Sequence, residues 1–308
     1  MGYLFLTIAL FAGVTKGYCG KKTSYAVKSN SDSMIINVLR MLVCIAIGLA
    51  LMAINGELAA LKLDNTMLFA AILSGVASAG LVISWLLSVK SGAYMMVEVF
   101  LLMGVLVPIA LCRVFFNEKI TLWQVFGIAL LMVAVYFICT YNASIKGKMS
   151  IGALLLLVLV GVSNGLADFS QKMFVKTSEG GSIAAFNMYT YVFASVVLLV
   201  TYFIFRSIDK KADREVRAPL IIIKPIWIYV LIMAICLFAN SFFKTKAALT
   251  IDAAKLYPLS QGGSVILALL MSSILLKEKV NAKCIVGICL AFVALLLINL
   301  NIPAIFGL

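Results

Sequence analysis

Ten apolar runs divide the 308-residue chain, at roughly 2–20, 33–55, 66–89, 93–116, 120–141, 150–175, 182–205, 225–249, 253–276 and 281–302. Each approaches the ~20 residues that a helix needs to cross the hydrocarbon core of a bilayer. The pattern predicts an all-α integral membrane protein with ten transmembrane helices. Most connections are short, so successive helices are expected to be antiparallel neighbours. The exception runs from Arg206 to Lys224, where Asp209, Lys210, Lys211, Asp213, Arg214, Glu215 and Arg217 make a solvated loop.

The runs repeat. Glu118-Lys119 after the fourth run is answered by Glu278-Lys279 after the ninth, and Gly127-Ile128 by Gly287-Ile288, at a constant offset of 160. Upstream, Gly13-Val14-Thr15-Lys16-Gly17 is echoed by Gly161-Val162-Ser163-Asn164-Gly165 at an offset of 148. The difference of 12 is absorbed if the second copy has a longer central loop, for which 207–222 is the candidate. A self-similar period is read before other features because it sets the architecture. The chain is therefore one five-helix unit used twice, over residues 1–145 and 146–308. Five is odd, so the copies cross the bilayer in opposite senses and are related by a pseudo-two-fold axis in the membrane plane. Inverted repeats of this kind are common in secondary transporters, with the substrate site near the midplane between the repeats.

Composition agrees. The chain is 64% hydrophobic and 12% charged, against about 25% charged in soluble domains. The net charge of +13 does not point to nucleic acid, because the basic residues sit at the ends of apolar runs, where loop charges and snorkelling side chains belong. Seven cysteines lie mostly within apolar runs, with no Cys-x-x-Cys and no histidine. No metal site, cofactor or disulfide framework is expected. Residues 2–15 lack the charged start and clear cleavage site of a signal peptide, and the echo of residues 13–17 assigns them to the fold. With both termini inside, the outer loops hold fifteen basic residues and the inner ones seven. The positive-inside rule then favours termini outside, although six of the fifteen sit in one loop that also carries three acids, and the orientation stays open.

The repeated Glu-Lys turn, the Gly-Ile after it, and Pro258 twenty residues before Glu278 resemble the EamA-type transporters of the drug/metabolite transporter superfamily, over nearly the whole chain. The resemblance implies a secondary transporter of small solutes that works by alternating access in a plasma (inner) membrane. It also implies cytoplasmic termini, against the charge count. The family's substrates include amino acids, metabolites, sugars and drugs. One departure concerns Pro258: its counterpart by the 160 offset is Glu98, within Tyr94-Met95-Met96-Val97-Glu98.

Polar residues inside apolar runs are the candidates for substrate or proton pathway. Glu98 lies roughly 9 Å along its helix at 1.5 Å per residue. An acid at that depth marks an ion path or substrate site, or is held by a lysine on a neighbouring helix. Lys16, about 21 Å along the first helix, is matched across the repeats by Asn164. Both sit in small-xxx-small frames that let backbones approach closely; the alternative for Lys16 is snorkelling to the surface. Asp168 and Lys172, four apart, share a helical face and are expected to pair, with Gln171 beside them. Lys255 precedes Tyr257-Pro258, where the missing donor frees the Ala254 carbonyl. Arg40 sits eight residues into the second run, one turn after Asn37, a spacing repeated by Asn187 and Tyr191. Tyr94 completes the set. Asn240 reads as a helix–helix hydrogen bond, and Lys244 and Lys246 as interfacial. Glu118 and Glu278 are expected to cap the helix that follows each of them, where negative charge is favoured.

The expected partners are a small-molecule substrate, the lipid bilayer and protons as a coupling ion, with a monomer or homodimer as the assembly. Glu98 is expected to carry a proton or to bind an amine. The competing functions are a flippase for a lipid or polyprenyl carrier, a membrane-embedded enzyme restricted to Asp/Glu/Lys acid–base chemistry, and a non-transporting receptor or assembly partner.

Overall fold

The computed structural model describes residues 1–23, 26–61, 64–90, 94–139, 151–178, 180–211, 218–276 and 282–299. The described chain is helical throughout: α1 (Gly2–Thr23), α2 (Asn30–Ile54), α3 (Asn65–Lys90), α4 (Tyr94–Met103), α5 (Leu106–Phe116), α6 (Leu122–Cys139), α7 (Ile151–Thr177), α8 (Ile183–Lys211), α9 (Pro219–Ile223), α10 (Trp227–Ala248), α11 (Ala253–Leu276) and α12 (Ala282–Asn299). Six of these, α1, α2, α3, α7, α8 and α10, are long and apolar enough to cross a membrane. Shorter apolar stretches lie at Phe100–Phe116, Leu122–Phe137 and Ile285–Ile298. Large apolar side chains such as Phe115, Phe126, Phe203 and Leu155 face outward. A soluble monomer rarely exposes so much continuous apolar surface, whereas a bilayer covers it.

Two expectations are corrected. The run 93–116 is not one helix but breaks at Gly104–Val105 into α4 and α5. Pro108 supplies the reason. In a continuous helix its ring would clash with the carbonyl four residues earlier, that of Gly104, and it has no N–H to offer it. The Gly104 carbonyl instead accepts from Val107 N at 3.1 Å, and Val105 N turns back to the Leu102 carbonyl at 3.0 Å. The first half is thus loosened, at a point six residues beyond Glu98. Pro258, by contrast, lies inside the unbroken α11.

The loop 206–224 is the second correction. Helix α8 continues to Lys211 and α9 occupies Pro219–Ile223, so only residues 212–218 are left between them, of which 212–217 lie outside the described residues. Asp209 is buried rather than solvated, and its carboxylate accepts from Ser31 Oγ at 2.8 Å.

Helices pair across the two halves of the chain. Helix α1 packs on α10, and α3 on α7; α2 packs on α8, and α6 on α12. Helix α1 also touches α11, as α7 touches α4 and α5; α3 touches α8, as α10 touches α2. Exchanging α1 with α7, α2 with α8, α3 with α10, the α4–α5 pair with α11, and α6 with α12 returns this same set of contacts. Apolar residues fill two main cores, one among α5, α6, α11 and α12 and one among α2, α8 and α10. The polar interior of α1, α2, α7, α8 and α10 lies between them.

Candidate functional site

Helix α7 supplies the spine of that interior. Gly161, Gly165, Asp168 and Lys172 recur at intervals of four, three and four, so they form one stripe along the helix. The glycines meet the broken helix. A Cβ added at Gly161 would fall 2.6 Å from the Phe100 carbonyl oxygen, and one at Gly165 would fall 2.6 Å from Val107 Cβ. Only a bare backbone fits, which makes α7 against α4–α5 the close approach that the small-xxx-small frame predicts. Asn164 spans the same contact, donating from Nδ2 to the Leu101 carbonyl at 3.4 Å. The matching frame in α1 does not behave alike. A Cβ at Gly13 would meet the Asn240 side chain at 3.0 Å, and one at Gly17 would meet nothing within 4 Å.

Further along the stripe, the expected Asp168–Lys172 pair does not form. Asp168 takes Lys244 of α10 instead, with Nζ 2.5 Å from Oδ1. Lys172 points the other way. It reaches Glu118 Oε1 at 3.3 Å and donates to the carbonyls of Ala248 and Ile251 at 2.9 and 2.7 Å. Ala248 ends α10, where a cation is favoured by the helix dipole, and Ile251 lies in the turn that follows. An intrahelical pair is worth only ~0.2–0.5 kcal/mol; charge-assisted bonds to partners fixed on other helices are worth more.

Glu118 caps a helix, but not the following one. Its Oε2 accepts from Ala253 N at 2.8 Å, at the start of α11. The next helix, α6, is started by the reciprocal pair Thr121 and Gln124, whose backbone and side chains bond at 2.9 and 3.3 Å. Asn117, in the left-handed region at φ 52°, turns the chain so that Glu118 is buried. Lys176 approaches the same carboxylate at 3.8 Å from a more exposed position. Glu118 thus ties together the α5–α6 turn, α7 and the α10–α11 turn. Tyr257, fully buried, donates to the Asp168 carbonyl at 2.6 Å and joins α11 to this end.

A chain of neutral groups leads away from Asp168–Lys244. Gln171 Nε2 donates to Ser241 Oγ at 3.3 Å, and Ser241 donates to Asn187 Oδ1 at 2.5 Å. Asn187 is anchored by its Nδ2 bond to the Ile183 carbonyl, and Tyr191 donates to the Leu237 carbonyl at 3.2 Å. Asn240 is the helix–helix bond expected, from Nδ2 to the Ala9 carbonyl at 2.7 Å. The buried Gln171 Oε1 has no hydrogen-bond partner.

Lys16 and Arg40 stand beside this chain. Lys16 lies on the α1 face between Gly13 and Gly20, which meet Asn240 and Met233 of α10. Its ammonium feels the charges of Arg40 and Lys244 and sits near Cys44 and Cys236. Arg40 lies beside Cys44 and Tyr191, and its buried Nε has no partner.

Lys255 is half-buried in the first turn of α11. The side chains of Glu98 and Tyr94, and all of Glu278, lie outside the described residues. The residues that pattern reading passed over are Ser241, Cys44, Lys244 and Glu118. Ser241 and Cys44 carry no charge to mark them in an apolar run, and the other two sit near helix ends, where charge is ordinary.

Twenty-eight solved chains match this one. Among them is a crystal structure described only as that of a protein, with a TM-score of 0.78 at 13% identity, covering 97% of this chain and 96% of that one. At that identity the likeness establishes the fold. No curated protein matches. Residues 151–300, from α7 through α12, match the EamA-like transporter family, which belongs to the drug/metabolite transporter superfamily.

Proposed function

We propose that this protein is a secondary transporter, built as two inverted five-helix repeats, that moves a small polar solute across the plasma membrane by alternating access. The observation that carries the reading is that the principal helix contacts map onto one another when the two halves are exchanged. An even-handed arrangement of that sort has two related conformations available, in each of which one end is closed. Here the end formed by the α5–α6 and α10–α11 turns is held by Lys172–Glu118 and Asp168–Lys244. Opening that end requires both pairs to exchange partners. Lys16, Arg40, Gln171 and Ser241 line the route on the other side of these pairs. A role for Glu98 as proton carrier belongs to the same reading and rests on its depth in α4.

The experiment is solute counterflow in proteoliposomes. Vesicles loaded with a candidate solute should accumulate its labelled form only when the protein is present. Failure to accumulate any label, across a panel of charged and neutral metabolites, would count against transport and return the flippase to consideration.

A further inference from the structure

We propose that the solute carries a carboxylate or phosphate group, and that Lys16 and Arg40 bind it. This rests on the transporter reading above and deepens it. Both cations lie near the same depth. Lys16 is seven residues from the end of α1 and Arg40 ten residues from the start of α2, so they sit roughly 10–15 Å from one end of the bundle by the helical rise. That places them near the middle of a hydrocarbon core ~30 Å thick. Among the described residues neither has a carboxylate partner. The neighbouring acid cannot serve, because Asp168 is taken by Lys244. Among the described side chains the local count is three cations, Lys16, Arg40 and Lys244, against one carboxylate.

Two like charges held together at depth repel each other and lose hydration. A structural cation in such a place would be paired. Both of these side chains remain partly accessible, so a ligand can reach them. The guanidinium suits a carboxylate or phosphate, which it grips with two parallel bonds, and the ammonium adds a point charge. Arg40 Nε is an unused buried donor at this place. The neutral Ser241, Asn187 and Gln171 contribute polarity without cancelling the charge. An amine-bearing cation would meet net repulsion here.

The test is thermal unfolding of the purified full chain in detergent, titrated with succinate, glycerol 3-phosphate and inorganic phosphate, with glucose and choline as neutral and cationic controls. At least one anion should raise Tm saturably, and the controls should not. A response to succinate alone assigns a carboxylate, and a response to either phosphate species assigns a phosphate. Lys16→Gln and Arg40→Gln should each weaken that response by about tenfold or more, as expected for loss of a charge-assisted bond. Lys211→Gln, at an exposed position, should not. Without ligand, Lys16→Met should unfold no earlier than the parent, since it removes an unpaired buried charge. The proposal is overturned by the absence of any anion response, by stabilisation by glucose or choline alone, or by anion responses that survive both Gln variants. A large loss of ligand-free stability in Lys16→Met would also overturn it, because that marks a structural cation. Anion binding without counterflow of any solute keeps the site and rejects the transporter reading; counterflow of neutral or cationic solutes alone does the reverse.

Discussion

At the scale of single residues, the closed end depends on Glu118 more than its position in a turn suggests. Its carboxylate offsets the buried Lys172, and removing one partner of a buried pair strands the other charge, at about 3–5 kcal/mol. Glu118→Gln is therefore expected to lower thermal stability by that order, measured as Tm in detergent. Adding Lys172→Met should recover a good part of the loss. If the double variant is instead as unstable as the sum of the singles, the two side chains do not act as a pair. The charge pattern along α7 showed that Asp168 and Lys172 share a face, and they do. It did not show their partners, because Lys244 and Glu118 are 76 and 54 residues away in the chain and meet them only after the helices pack.

At the scale of elements, the two small-residue frames that look equivalent in sequence differ in what they touch. Gly165→Val would press a branched side chain into Val107 and the α4–α5 break, and overpacking of this kind costs about 1–3 kcal/mol. Gly17→Val meets open space and is expected to leave Tm nearly unchanged. Equal losses at both positions would mean that helix propensity and not the backbone approach decides the matter. The break itself was open to reading from Pro108 and Gly104, four residues apart, since the proline ring excludes that particular carbonyl. The repeat drew notice to Glu98 because of its alignment with Pro258, and the physical loosening lies one helix segment further on.

For the whole molecule, alternating access requires the two halves to separate at the closed end. Thr66 of α3 and Ser178, just beyond α7, come from different halves, and their hydroxyl oxygens lie 3.3 Å apart there. Cysteines at these two positions should form a disulfide that stops counterflow, and a reductant should restore it. Transport that continues through the oxidised form would show that this end stays shut during the cycle. The native cysteines at 19, 44 and 112 are buried, which limits their competition for the cross-link.

By itself the sequence determined the all-helical membrane class, the apolar runs and the identity of the polar residues inside those runs. These follow from length, periodicity and the cost of charge in hydrocarbon, all of which act locally or by repetition. Tertiary structure decided which polar groups meet. Asp168 found Lys244 and not Lys172, Glu118 capped α11 and not α6, and Lys16 and Arg40 found no carboxylate among the described residues. Such pairings depend on how helices far apart in the chain are rotated against one another. A hydrophobic pattern in a membrane leaves that rotation open, because lipid is as apolar as the core and only close backbone contacts and buried polar bonds choose among the faces.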